Sequence, residues 1–123
     1  KKGVELKVNG VNIEPKTEND THFLYEIKAT KQPIGAYDNT RDFENHVIEL
    51  QEGDRIYVFS DGYADQFGGP KNKKFKYSTF KKLLLNTYSM PIAEQKLTLN
   101  KTIEEWRCEI EQIDDICIIG VEI

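Results

Sequence analysis

The hydrophobic pattern of the chain predicts several strands, then two helices and a final strand. Apolar and polar residues alternate over residues 4–8, and a second short apolar stretch covers 11–13. The intervening Asn9-Gly10 is typical of a two-residue hairpin turn, because both turn positions need a positive φ. Further along, the pattern predicts a polar turn over residues 15–20, a strand over 23–27 and a loop from Gln32 to about Phe43.

A second hairpin is predicted in the middle of the chain. Residues 46–50 and 55–59 are strand-like, and the short polar segment 51–54 joins them. Ser60-Asp61-Gly62 ends the second of these strands. Residues 66–76 are rich in glycine and lysine, which predicts a mobile surface loop.

Two helices are predicted after this loop. Ser78 is placed to cap the first, whose apolar residues Phe80, Leu83 and Leu84 follow helical spacing. Pro91 suits the first turn of the second helix. That helix carries an apolar stripe made of Ile92, Leu99, Ile103, Trp106 and Ile110.

The chain closes with residues 116–123, a nearly continuous apolar run that predicts a strand buried on both faces. Cys117 within this run is expected to be a small buried thiol. Strands followed by two helices and a returning strand indicate an α+β fold with a mainly antiparallel sheet.

Composition narrows the classes of function. The 123 residues carry a net charge of −4, so bulk electrostatics predict neither a nucleic-acid nor an anionic-membrane partner. No apolar stretch approaches the roughly 20 residues that span a bilayer. Two cysteines do not suggest a disulfide framework, which favours a reducing, cytoplasmic setting. Because Lys1 is not an initiator methionine, the chain is expected to be a fragment that lacks upstream residues.

Acidic residues stand at the ends of two predicted strands. Asp61 directly follows strand 55–59, and Asp114 and Asp115 directly precede strand 116–123. If these strands pair antiparallel, the carboxylates converge at one edge of the sheet. Clustered carboxylates repel one another unless a cation relieves them, and hard oxygen ligands favour Mg²⁺ or Mn²⁺ over Zn²⁺. Two such ions can activate a bridging water, so this edge is a candidate metal site.

The same residues also have plainer interpretations. An Asp-Gly after a strand often starts a turn, and an acidic pair before a strand can simply be solvated. Asp65 could reach a metal through water or could favour the start of a helix. The lysine cluster is either a solvated loop or a surface that steers a phosphorylated partner; its members are Lys71, Lys73, Lys74 and Lys76. Surface or strand positions are expected for His22 and His46.

An ordered set of motifs resembles one family. Residues 58–65, Val-Phe-Ser-Asp-Gly-Tyr-Ala-Asp, resemble the apolar-strand, Ser/Thr-Asp-Gly motif of the PPM (protein phosphatase 2C-like) superfamily. Gln-Pro-Ile-Gly at 32–35, the turn Gly53-Asp54 and the run Asp-Asp-Ile-Cys-Ile-Ile at 114–119 narrow the resemblance to the stage II sporulation protein E branch. The similarity extends from about residue 32 to the last residue.

This resemblance implies a partial α-β-β-α sandwich and a metal-dependent protein Ser/Thr phosphatase that uses Mn²⁺ or Mg²⁺. It implies that Asp61 and Asp114 are metal ligands and that a metal-bound water is the nucleophile, with no catalytic side chain in this segment. Asp115 would occupy the position next to the ligand Asp114, beside the metals. Apart from the resemblance, Gly62 and Asp65 are candidates for positions beside the metals, and Lys71, Lys73 and Lys74 are candidates for a loop that faces the substrate.

The resemblance also implies partners. Phosphatases of this branch remove phosphate from phosphoserine or phosphothreonine on regulatory proteins, typically anti-sigma-factor antagonists. Their domains often end bacterial sensor and regulator proteins, which implies an upstream sensor or regulatory domain and a role in signal transduction.

One required feature of the family is missing from this chain. The family's active site needs an upstream Asp-Gly whose carboxylate bridges both metals, but the chain's one Asp-Gly is Asp61-Gly62. Residues 1–123 are therefore expected to be the C-terminal part of a single PPM-type domain, inactive alone and able to self-associate through exposed edges. A non-catalytic regulatory or dimerisation module is the alternative, and an unrelated α+β domain is a third interpretation.

Overall fold

The computed structural model describes residues 1–35, 38 and 41–123 and confirms the α+β class. Its elements are β1 (Lys7–Val8), β2 (Val11–Asn12), β3 (Thr17–Glu18), β4 (Phe23–Leu24), β5 (Arg55–Phe59), α1 (Gly62–Asp65), β6 (Phe67–Gly68), β7 (Lys73–Lys74), α2 (Tyr77–Asn86), α3 (Ile92–Arg107) and β8 (Ile118–Glu122). The strands pair antiparallel as β1–β2, β3–β4, β5–β8 and β6–β7. The predicted loop from Gln32 to Phe43 lies partly outside the described residues.

Helices α2 and α3 form the core together with α1 and the segment that follows it. The buried cluster consists of Tyr63, Phe75, Phe80, Leu84, Leu99 and Ile103. The helical spacing of α2 brings Phe80 and Leu84 onto one face, as predicted. Trp106 packs against this cluster, which confirms its prediction as a core residue, and its indole N–H donates to the carbonyl of Gln66 at 3.1 Å.

The ends of both helices differ from the prediction. Helix α2 begins at Tyr77, so Ser78 lies inside the first turn and does not cap the helix. The residue before it, Lys76, has a φ of +76°, a conformation that costs free energy in any residue with a Cβ. Helix α3 ends one residue before Cys108, whose φ is +48°, so Ile110 lies beyond the helix.

Strands β5 and β8 form the longest ladder of the structure. Their register runs from Arg55↔Glu122 to Phe59↔Ile118. The antiparallel pairing that was set as the condition for the carboxylates to converge is therefore present. One face of the pair rests on the helices, where the hydroxyl of Tyr57 donates to a side-chain oxygen of α3 at 2.7 Å.

The other face of this sheet is exposed. Val58, Ile119 and Val121 share it and are 58%, 54% and 48% exposed. The prediction that the last strand is buried on both faces is therefore wrong, because no second layer covers this face among the described residues. Cys117, just before β8, is an exposed free thiol, so the buried position predicted for it is also wrong.

Arg55 joins the sheet to the connection between α2 and α3. Its side chain is only 7% exposed and forms an ion pair with Glu122 on the neighbouring strand. Its guanidinium also donates to the carbonyls of Tyr88 at 2.7 Å and Met90 at 2.9 Å. Charge-assisted hydrogen bonds of this kind are among the stronger ones in proteins. The first residue of β5 therefore anchors the turn that orients α3.

The first predicted hairpin is confirmed. Asn9 and Gly10 have φ values of +52° and +77°, and Val8 pairs with Val11 across the turn. The polar turn predicted at residues 15–20 is wrong, because Thr17–Glu18 forms β3 and pairs with β4.

The second predicted hairpin is absent from the described residues. Residues 46–50 do not pair with β5. They contact the first hairpin instead, where Ile48 lies antiparallel to Val8. The amide of Asn9 donates to the carbonyl of Val47 at 2.8 Å, and the amide of Val47 donates to Asn9 Oδ1 at 2.8 Å. The backbone groups of this segment thus bind the β1–β2 turn, and the edge of β5 away from β8 remains unpaired there.

The lysine-rich segment forms a short hairpin of β6 and β7, not the irregular loop that was predicted. Its turn packs on Trp106, since the amide of Gly69 donates to the carbonyl of Trp106 at 2.8 Å. A Cβ at Gly68 would lie 2.0 Å from the same oxygen. Glycine is therefore required for the hairpin to lie this close to α3. No helix in the described ranges is long and apolar enough to cross a membrane.

The stability of the N-terminal region is expected to fall in mildly acidic solution because of His22. The imidazole stacks on Tyr88 with ring centroids 3.9 Å apart, and its Nε2 is buried without a hydrogen-bond partner among the described residues. Burial lowers the pKa of His22 below its usual 6.5, and the positive N-terminus, Lys1 and Arg55 lower it further. Between pH 7.5 and 5 the unfolded chain then binds more protons than the folded chain, so stability decreases as pH falls.

Urea denaturation at pH 7.5 and at pH 5 measures this effect. His22→Gln should reduce the loss of stability between the two pH values, because glutamine does not titrate in this range. An unaltered pH dependence in His22→Gln would contradict the assignment.

Candidate metal-binding site

The β5–β8 ladder brings the two acidic segments to the same end of the sheet. The last ladder pair is Phe59↔Ile118, and the amide of Ser60 continues it by donating to the carbonyl of Cys117 at 3.0 Å. Asp61 and the Asp114-Asp115 pair come directly after and shortly before these positions. The convergence expected from the sequence is therefore observed for the backbones that carry these carboxylates.

Asp61 sits at the N-cap position of α1, but its side chain forms no capping hydrogen bond. Its backbone carbonyl accepts the amide of Asp65 at 3.0 Å, and the residue is exposed. The carboxylate is therefore free of local turn bonds and open to solvent. Asp61 does start a turn, as in the plainer interpretation, but its carboxylate does not cap that turn.

Gly62 allows the two acidic segments to approach closely. A Cβ at this position would lie 2.4 Å from the carbonyl oxygen of Asp115 and 3.2 Å from Ile116 Cγ1. The first distance is too short for any side chain, so the contact requires glycine. The Gly of the Ser/Thr-Asp-Gly motif thus has a steric role in this fold.

Asp114 and Asp115 are both exposed, and their backbones are ordered by hydrogen bonds. The amide of Asp115 donates to Asp114 Oδ1 at 2.8 Å, and the side chain of Gln112 donates to the Asp114 carbonyl at 2.9 Å. The hydroxyl of Ser60 donates to the Asp115 carbonyl at 2.6 Å. Asp115 therefore contacts the other acidic segment through its main chain, and its carboxylate faces no partner in the described part of the chain.

Asp65 and the lysine hairpin are joined by an ion pair. Lys74 Nζ lies 3.2 Å from Asp65 Oδ1, while Lys71 and Lys73 are exposed. Asp65 lies one turn beyond Asp61, so its ion pair with Lys74 holds the hairpin beside the acidic end of the sheet. The acidic end is the end of the β5–β8 pair that carries Asp61, Asp114 and Asp115. The structure assigns Asp65 an ion-pair partner that the sequence pattern did not predict.

Sequence reasoning missed two residues near this end of the sheet. Ser60 bridges the segments through its hydroxyl, and its place in the Ser/Thr-Asp-Gly motif was the available signal. Tyr77 packs its ring 6.2 Å from that of Phe59, centroid to centroid. Burial raises the pKa of Tyr77, and the negative charges of Asp61 and Asp65 raise it further. No sequence signal indicated Tyr77, because its position depends on how α2 docks.

The carboxylate oxygens at this end suit a hard divalent cation, but there are too few of them to form a complete metal site. Aspartate oxygens are the ligands that Mg²⁺ and Mn²⁺ prefer. Within the described ranges, no three or more His, Cys, Asp or Glu side chains form a group that could hold a metal ion. The acidic end is therefore suited to contribute ligands to a site that needs at least one more carboxylate.

Comparisons with known proteins identify the family of this chain. The family model of stage II sporulation protein E (SpoIIE) matches residues 17–123. A solved structure, the SiaA-PP2C domain of Pseudomonas aeruginosa, is similar with a TM-score of 0.62 and 27% sequence identity. The similarity covers 68% of this chain and 34% of the solved chain, so the present chain matches about a third of that structure. No curated protein matches. The chain therefore belongs to the stage II sporulation protein E family, whose domains are PPM-type phosphatase domains.

Proposed function

We propose that residues 1–123 are the C-terminal part of a single PPM-type domain that hydrolyses phosphoserine or phosphothreonine on a partner protein. The observation that supports this most is the antiparallel junction of β5 and β8. There Gly62 allows the Asp61 turn to contact the backbone of Asp115 directly, at a distance that excludes a side chain. Aspartates at two adjacent strand ends supply oxygen donors of the kind that a carboxylate-ligated cation site uses.

In this proposal Asp61 and Asp114 bind the cation, while Asp115 and Asp65 act at its periphery. Mn²⁺ or Mg²⁺ bound there would supply Lewis-acid charge, which polarises a phosphoryl oxygen and lowers the pKa of water towards neutrality. Gly62 permits the approach of the two acidic segments. Exposure of both carboxylates to solvent is consistent with a site that opens toward a protein substrate.

The lysine hairpin is proposed to face the phosphorylated partner. Lys71 and Lys73 are exposed, and Lys74 ties the hairpin to Asp65 beside the acidic end. Positive charge at this place attracts a phosphorylated segment in a chain whose net charge is −4. The partner is proposed to be a regulatory protein of the anti-sigma-factor antagonist type, dephosphorylated in a bacterial signalling pathway under the control of an upstream sensor domain. Free thiols at Cys108 and Cys117 agree with a reducing, cytoplasmic setting.

A non-catalytic regulatory or dimerisation module is the second candidate. The exposed sheet face of Val58, Ile119 and Val121 favours it, since contiguous apolar surface of this kind marks an interface. Such a module would use the same fold to bind another protein, and the aspartates would have no catalytic role.

Removal of the metal should abolish phosphate release if the enzyme proposal is correct. The 123-residue chain alone is expected to be inactive, because it lacks the additional carboxylate. The assay therefore uses the chain extended upstream by about a hundred residues, the typical scale of a missing half-domain. Phosphate release from a phosphoserine protein should require Mn²⁺ and stop with excess EDTA. It should return when Mn²⁺ is restored. Release that is absent with Mn²⁺, or unaffected by EDTA, would contradict the enzyme proposal and favour the binding module.

A further inference from the structure

The hydroxyl of Ser60 joins the two strands at the point where their regular ladder ends. It donates to the carbonyl of Asp115 at 2.6 Å and accepts the amide of Cys117 at 2.9 Å. One side chain thus binds two backbone groups of the opposite strand, on either side of Ile116. We propose that Ser60 is a positioning residue, whose hydroxyl holds the Asp61 turn and the Asp114-Asp115 segment at a defined separation. This role rests on the proposed metal site.

The path of the backbone explains why a side chain is needed there. After Ser60 the chain turns into α1, so main-chain pairing with the opposite strand cannot continue past Cys117. Without the hydroxyl, the carbonyl of Asp115 and the amide of Cys117 would lose the partners that the structure gives them. Ser60 therefore replaces the next rung of the ladder, and the donor and acceptor capacity of one hydroxyl suits both groups.

Gly62 also restricts the position of the Asp115 carbonyl, by direct packing. The position of a Cβ on Gly62 would be 2.4 Å from the Asp115 oxygen, so the glycine backbone is packed directly against it. The carbonyl is thus restrained by a hydrogen bond from Ser60 and by steric contact with Gly62. Asp61 lies between these two residues in sequence, and Asp114 precedes the restrained peptide. A shift of this contact would therefore move both proposed ligands relative to each other.

Such a shift would weaken metal binding, because coordination depends on accurate ligand positions. Ligand distances in a functional site hold to within about 0.2 Å, so a small displacement of one segment weakens binding. Residues that orient metal ligands through hydrogen bonds typically change metal affinity by about 10–100-fold when they are removed. Ser60 contacts neither the substrate nor the metal in this proposal and acts only through the backbone of Asp115.

Two measurements on the 123-residue chain test the proposal with Ser60→Ala and the conservative variant Ser60→Thr. The first is hydrogen exchange of the Cys117 amide without metal, relative to amides within the β5–β8 ladder. The second is the broadening by Mn²⁺ of the amide NMR signals of Gly62 and Asp115, which detects weak binding. Thr87→Ala is the matched control, because the Thr87 hydroxyl also donates to a carbonyl and accepts an N–H, but at the C-terminal end of α2.

Ser60→Ala should accelerate exchange of the Cys117 amide at least about tenfold and raise the apparent dissociation constant for Mn²⁺ by about tenfold or more. Ser60→Thr keeps a hydroxyl, so both its Cys117 exchange rate and its Mn²⁺ dissociation constant should stay within about threefold of the unmodified chain. That change is clearly smaller than the loss of about 10–100-fold expected when the hydroxyl is removed. Thr87→Ala should lower stability but leave Mn²⁺ binding unchanged. If Ser60→Ala does not fold by circular dichroism, Ser60→Cys replaces it, since a thiol is a weaker hydrogen-bond partner of similar shape.

Unchanged Cys117 exchange or unchanged Mn²⁺ affinity in Ser60→Ala would overturn the positioning role. Absence of local Mn²⁺ broadening both in the unmodified chain and in the upstream-extended chain would instead contradict the metal assignment. In that case fast Cys117 exchange in Ser60→Ala would make Ser60 a structural residue only. The two measurements therefore separate failure of this inference from failure of the proposed function.

Discussion

Replacement of Asp61 by asparagine in the upstream-extended chain is expected to reduce Mn²⁺-dependent phosphate release by at least about a hundredfold. The substitution keeps the size of the side chain and removes its negative charge. Loss of a residue that only supports a metal ligand already costs about 10–100-fold, so loss of a ligand should cost at least the upper value. Because Asp61 forms no capping bond and is exposed, the fold should survive the change.

Asp20→Asn is the matched control for this prediction. Asp20 is exposed in the turn between β3 and β4, and its replacement makes the same change of charge away from the acidic end. Phosphate release should remain near that of the unmodified protein. Unfolding curves for both variants exclude misfolding as the cause. Activity of Asp61→Asn within about threefold of the unmodified protein, well below the 10–100-fold scale, would contradict the assignment of Asp61 as a ligand.

Replacement of Phe80 by alanine is expected to lower the free energy of unfolding by about 3–5 kcal/mol. Phe80 is fully buried at the centre of the cluster that joins α1, β5 and α2. Its ring lies 4.7 Å from that of Tyr63 and 5.0 Å from that of Phe59, centroid to centroid. Truncation removes these contacts and leaves a cavity that a core of this size cannot fully close.

Phe43→Ala is the control. Phe43 is 56% exposed, so its replacement removes the same atoms from the surface and not from the core. Its effect should stay within about 0.5 kcal/mol. Urea denaturation followed by circular dichroism measures both variants at one pH. A loss of less than about 1 kcal/mol in Phe80→Ala would mean that the described core is not the main source of stability.

Several predictions that depend on local chemistry or on a long periodic pattern were confirmed. The hairpin turn at Asn9-Gly10 follows from the tolerance of these two residues for positive φ. Helices α2 and α3 follow from apolar residues that recur every three or four positions. The pairing of β5 with β8 was only the condition under which the aspartates converge, and the structure contains it.

Several predictions that depend on a partner segment, or on the position at which a helix begins, were wrong. Residues 46–50 have the pattern of a strand, but the sequence does not specify which backbone groups they bind, and they contact the β1–β2 turn. Apolar residues in β8 predicted burial on both faces, yet burial depends on whether a second layer is present. Ser78 has the chemistry of a capping residue, but the helix begins one residue earlier at Tyr77.

Residue type and spacing were enough to predict the α+β class, the two amphipathic helices and the aspartates at two strand ends. These features arise from residue type and spacing, which act locally along the chain. Only the tertiary structure revealed that the Ser60 hydroxyl spans the two strand ends, that Gly62 lies against the Asp115 carbonyl and that Lys74 pairs with Asp65. These contacts join residues far apart in the chain, so they depend on strand register and helix docking, which the packing of the whole domain decides.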